Sequence, residues 1–82
     1  MYAIDFLDEA KASLKRMSPD VSSRIVKKIE RMCNDMAGDV KRLTNFVPNY
    51  RLRVGDWRVL FEVEANTIVI HEIKHRSQAY GG

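Results

Sequence analysis

An α+β fold follows from three features of the chain: a strand-like run at the start, a helical hydrophobic period up to about residue 37, and an alternating period from Leu43 onward. In the expected arrangement, an N-terminal strand and a helical hairpin pack on one face of a small antiparallel β-sheet. Residues 2–6 alternate aromatic with small or polar side chains and read as a short strand. Leu7, Ala10, Leu14 and Met17 then recur at three- and four-residue intervals, which predicts a helix of about three turns. Ser18-Pro19-Asp20 ends that helix and starts another, because Ser caps well, Pro is tolerated at the first helical position, and Asp suits the positive end of the helix dipole. Val21, Ile25, Ile29, Met32 and Met36 form one stripe of the second helix, and Gly38 offers a left-handed cap, so its end is expected near Ala37.

In the second half Tyr50, Leu52 and Val54 alternate with Arg51 and Arg53, and Trp57, Val59, Phe61 and Val63 alternate with Arg58, Leu60 and Glu62. Gly55-Asp56 and Ala65-Asn66 are tight-turn signals. Strands near residues 50–54, 57–64 and 67–74 are therefore expected as an antiparallel meander, with a further edge strand around residues 41–46.

With 82 residues, 45% of them hydrophobic and 30% charged, the chain is expected to be one domain over residues 1–82. The lone Cys33 cannot close an internal disulfide and has no CxxC or CxxH neighbour; it reads as a packing residue. No basic leader followed by an apolar run opens the sequence, and no stretch approaches the roughly 18 apolar residues of a membrane span. A cytoplasmic protein, neither exported nor inserted, is expected. There is no Gly-rich phosphate loop, nucleophile motif, carboxylate cluster or metal-ligand spacing, so neither cofactor nor metal is expected. A DNA recognition helix is also lacking, which argues against direct DNA reading.

The net charge of +3 is unevenly distributed. Residues 1–39 carry seven basic and seven acidic side chains, whereas residues 40–82 carry seven against four. Lys41, Arg42, Arg51, Arg53 and Arg58 face only Asp56 in their stretch, which points to a polyanionic partner. If Gly55-Asp56 is a two-residue loop, Val54 pairs with Trp57, Arg53 with Arg58 and Leu52 with Val59. Arg51, Arg53 and Arg58 then share one face. Like charges opposite each other in a sheet cost from a few tenths to about 1 kcal/mol, so the cluster suits a phosphate-binding floor. It equally suits a solvated basic face, neutralised by Glu62 or Glu72.

The final segment supplies Lys74, His75, Arg76 and Tyr80. If the last strand lies beside the central one, these groups approach the Gly55 turn and join Arg53 and Arg58. Tyr80 could stack on an exposed base while cations hold flanking phosphates, or simply cover the sheet edge. His75 could carry a proton near neutral pH or be an ordinary surface residue, His71 reads as structural, and Trp57 as a core anchor.

Residues 50–63, Tyr50-Arg51-Leu52-Arg53-Val54-Gly55-Asp56-Trp57-Arg58-Val59-Leu60-Phe61-Glu62-Val63, followed by Lys74-His75-Arg76-Ser77-Gln78-Ala79-Tyr80, resemble the RelE branch of the RelE/ParE toxin superfamily. The likeness extends more loosely through the opening strand, the helical hairpin and Lys41-Arg42-Leu43. It implies a ribosome-dependent mRNA endonuclease that cuts mRNA in the ribosomal A site by metal-independent 2′-hydroxyl attack and so inhibits translation. It also implies a cognate RelB-like antitoxin, the 70S ribosome as a partner, and contact with operator DNA only through the antitoxin. Carried over by position, the resemblance makes Arg51, Arg53, Arg58, Arg76 and Tyr80 catalytic, with Lys74 and His75 as possible proton carriers. The same set, with Lys74 and without His75, would bind RNA. Lys74 stands where the best-known members have a proton-donating arginine, and Arg51 and Arg53 where they have lysines. The alternative within the superfamily is a ParE-like toxin that inhibits DNA gyrase by binding.

Overall fold

The computed structural model describes residues 1–35, 38–45 and 47–78. Its elements follow the order β1 (Ala3–Phe6), α1 (Asp8–Arg16), α2 (Pro19–Asp35), β2 (Asp39–Arg42), β3 (Tyr50–Val54), β4 (Trp57–Glu64) and β5 (Thr67–His75). Asp8 and Glu9 in the first turn of α1 and Lys15 and Arg16 in its last complement the helix dipole. Ala10 is fully buried, with Leu14 and Met17 packed against the core. Ile25, Ile29, Met32 and Cys33 form the buried stripe of α2, while the expected helix end at Met36 and Ala37 lies outside the described residues. No helix among the described residues is long and apolar enough to cross a membrane.

The five strands lie in the order β1-β5-β4-β3-β2. The meander from β2 to β5 is antiparallel as expected, but β1 is a member of the sheet, running parallel to β5 at its edge. The helices do not simply fold the chain back: α2 ends beside the start of β1, where the Tyr2 N–H donates to the Cys33 carbonyl at 2.8 Å. From β2 onward three successive reversals then give β5 the direction of β1. The β2 strand starts and stops earlier than residues 41–46, because Asp39 to Arg42 pair with Arg53 to Tyr50. Beyond it the Leu43 N–H donates to the Asn49 carbonyl at 2.8 Å and Asn45 turns the chain at a φ of 64°.

One sheet face carries Leu52, Val54, Val59, Phe61, Ile68, Ile70 and Ile73 into the core beneath the helices. The spacing of the three isoleucines breaks the period of two. Leu60 pairs with Glu72 but Phe61 pairs with Ile70, so His71 is an extra residue, a β-bulge in β5. Ile73 therefore returns to the core face, and Glu72 and Lys74 stay on the opposite, open one. Gly38 enters β2 at a φ of 116°, where an added Cβ would sit 3.0 Å from a Leu52 methyl.

Candidate functional site

The open face is a grid whose rows are set by strand register. One row crosses four strands as Asp39, Arg53, Arg58 and Lys74. The next reads Lys41, Arg51, Leu60 and Glu72. The expected pairs Arg53 with Arg58, Val54 with Trp57 and Leu52 with Val59 are those observed. Farther from the Gly55 turn the same face becomes acidic, with Glu62 on β4 and Asp5, the register partner of Val69, on β1.

The cations differ in their surroundings. Arg51 is only 8% exposed, and its Nη1 reaches Asp39 Oδ1 and the Asp39 carbonyl, each at 3.4 Å. Arg53 has a half-exposed side chain whose Nε meets Asp39 Oδ2 at 2.5 Å. Arg58 donates from Nη1 to the carbonyls of Gly55 and Trp57 at 3.0 and 3.1 Å, which ties it to the turn. Lys74 Nζ lies 3.4 Å from Glu72 Oε2. Glu62 instead accepts the Asn49 N–H at 2.6 Å, so the carboxylate that Arg51 and Arg53 meet is Asp39 rather than Glu62 or Glu72.

The end of β5 reaches the turn. The Arg76 N–H donates to the Asp56 carbonyl at 2.7 Å, and its Nε lies 3.8 Å from Asp56 Oδ1. His75, however, pairs with Trp57 and sits on the helix-facing side, its ring edge-on to the indole at a centroid distance of 5.3 Å. Its Nδ1 is 3.1 Å from the Ser77 hydroxyl. The strand thus separates His75 from Arg53, Arg58 and Lys74. Tyr80 lies outside the described residues.

Two features escaped the sequence reading. Asp39 fell within the half whose charges cancel, and only pairing of β2 with β3 brings it to the arginines. A second set of cations, Arg24, Lys27, Lys28 and Arg31, recurs at helical spacing on the exposed face of α2 and lines a shallow cavity of about 480 Å³. Cancelling charges hid that set too.

The fold is that of toxins solved with antitoxins. The chain is similar to a chain of the RelB-RelE antitoxin-toxin complex from Methanococcus jannaschii, with a TM-score of 0.76 and 28% identity over 93% of this chain and 94% of that one. The archaeal RelE-RelB complex from Pyrococcus horikoshii OT3 shares the fold at a TM-score of 0.74 and 22% identity, covering 95% and 98%. The chain belongs to the family of ParE toxins of type II toxin-antitoxin systems, parDE, which it matches over residues 4–80, and its relatives place it among RelE-like toxins. It is 36% identical to Toxin RelE3 of Methanocaldococcus jannaschii over 47 residues, which cover 57% of this chain and 53%, about half, of that relative.

Proposed function

We propose that this toxin is a ribosome-dependent mRNA endonuclease that acts in the cytoplasm on mRNA in the ribosomal A site and is silenced by a cognate RelB-like antitoxin. The observation that carries this reading is the row of Arg53, Arg58 and Lys74 across three adjacent strands of an open face. A sheet gains nothing in stability from stacking three cations in register, whereas a pentacoordinate phosphorane needs them. The substrate supplies its own nucleophile. The 2′-oxygen attacks the adjacent phosphorus as its proton passes to a base, the bond to the 5′-oxygen breaks, and that oxygen takes up a proton. A 2′,3′-cyclic phosphate and a 5′-hydroxyl result.

Arg53 and Arg58 stabilise the added charge of the phosphorane, and buried Arg51 positions the phosphate group. Lys74 serves as a proton carrier at the end of the row, and Arg76 adds charge beside the turn. Tyr80 stacks on a base or transfers a proton. His75, on the other side of the sheet, takes no part in this scheme. Guanidiniums are poor general bases, so cleavage of free RNA is slow and an ordered substrate on the ribosome is required. The RelB-RelE complexes among the structural neighbours support an antitoxin partner.

The family description, which names ParE, favours a second reading as an inhibitor of DNA gyrase that acts by binding. Primer extension on translated mRNA after induction separates the two. Cuts that require ribosomes and vanish with Arg58→Ala support the endonuclease; DNA damage with intact mRNA supports gyrase inhibition.

A further inference from the structure

The row of cations on the open face begins with a carboxylate. Asp39 lies opposite Arg53 in register, and its two oxygens hold different guanidiniums, Oδ2 that of Arg53 and Oδ1 that of Arg51. These two arginines are not equivalent. Arg51 is buried, it grips Asp39 through both carboxylate and main-chain carbonyl, and its Nε is buried with no hydrogen-bond partner among the described residues. The Arg53 side chain is 54% exposed and stands between Asp39 and Arg58 in the row. Carboxylate and phosphate oxygens address the same donor edge of a guanidinium, so Asp39 holds the place on Arg53 that an RNA phosphate would take. Gly38 leads into this carboxylate at a φ of 116°, where any side chain would be strained and its Cβ would press on the Leu52 methyl at 3.0 Å.

We propose that Asp39 is a built-in counter-ion of the open face: it occupies Arg53 in the free toxin and yields Arg53 to a phosphate of bound RNA, while Arg51 keeps hold of Asp39. Asp39 is thus a positioning residue that competes with substrate. It keeps Arg53 pointed along the row against repulsion from Arg58, at the expense of ground-state affinity. This inference rests on the reading of the face as an RNA site.

The test is binding of a short single-stranded RNA with 2′-methoxy groups throughout, which can bind but cannot be cut, followed by fluorescence anisotropy at low salt. Asp39→Asn binds more tightly than the wild type, by up to about fivefold, the range expected for releasing one exposed ion pair. Asp39→Glu restores wild-type affinity. Glu30→Gln, which adds the same net charge on exposed α2, leaves affinity nearly unchanged. In an Arg53→Gln background the gain from Asp39→Asn disappears. Unchanged or weaker binding by Asp39→Asn overturns the proposal, as does a gain that survives Arg53→Gln. A loss of fold is separated from these by melting each variant and by the Asp39→Glu rescue. If Arg58→Ala leaves wild-type binding intact, the RNA reading of the face fails and this inference falls with it; a wild-type complex that needs Arg58 but ignores Asp39 defeats the inference only.

Discussion

Arg53 and Arg58 are direct partners across β3 and β4, two guanidiniums in one cross-strand pair beside the Gly55 turn. Their repulsion falls as salt rises. The wild type should therefore gain stability between low and moderate sodium chloride, whereas Arg58→Gln should show a flatter dependence. At low salt the variant's stability should stay within about 1 kcal/mol of wild type, since relief of repulsion offsets two lost hydrogen bonds to the turn. Urea titrations at two salt concentrations measure both quantities. A salt response unchanged by the substitution would mean that the pair is not in contact electrostatically.

Ala65 takes a φ of 56° in the turn between β4 and β5, a conformation that costs a residue with a Cβ roughly 1–2 kcal/mol. Gly55 holds the equivalent first position of the other turn at 59° without that cost. Ala65→Gly should stabilise the protein by about 0.5–1 kcal/mol after the greater entropy of the unfolded glycine is counted. A melting temperature that falls on this substitution would contradict the strained turn.

Ile29 is fully buried between α2 and the sheet, where a cavity cannot be filled from solvent. Ile29→Ala should cost about 2–5 kcal/mol, a large share of the stability of a domain this small. The urea midpoint measures it. Lys28→Ala, its exposed neighbour on the same helix, should shift the midpoint by no more than about 0.5 kcal/mol.

Burial raises the Cys33 thiol above its usual pKa of 9.0, with the Glu30 carboxylate adding to the shift. The folded thiol then keeps its proton where the unfolded one has lost it. Stability from this group is intact below about pH 9 and falls as pH rises beyond that, until the folded thiol also ionises. Cys33→Ala should flatten the alkaline decline seen in urea midpoints, and native Cys33 should react slowly with iodoacetamide at pH 8. Rapid alkylation of the folded protein would refute the protected thiol.

The pairing of Arg53 with Arg58 was legible in residues 50–63 because its causes are local. A two-residue turn sets the register, and the pleat sends alternate side chains to opposite faces. The stripe Ile25, Ile29 and Met32 likewise announced the buried face of α2 through the helical period. Three other features came from packing over longer distances. The bulge at His71 puts Lys74 on the open face and His75 on the far side, and it exists because Ile68, Ile70 and Ile73 must all enter one core; their broken spacing was its only sign in the chain. The parallel pairing of β1 with β5 depends on every reversal between them. Asp39 meets Arg51 and Arg53 only because β2 pairs with β3, and no short-range pattern specifies which carboxylate a sheet edge will deliver. Local periodicity thus decided which cations share a face, and tertiary pairing decided which charge restrains them, because register within a hairpin is a property of the turn while partners across an edge are chosen by the packed whole.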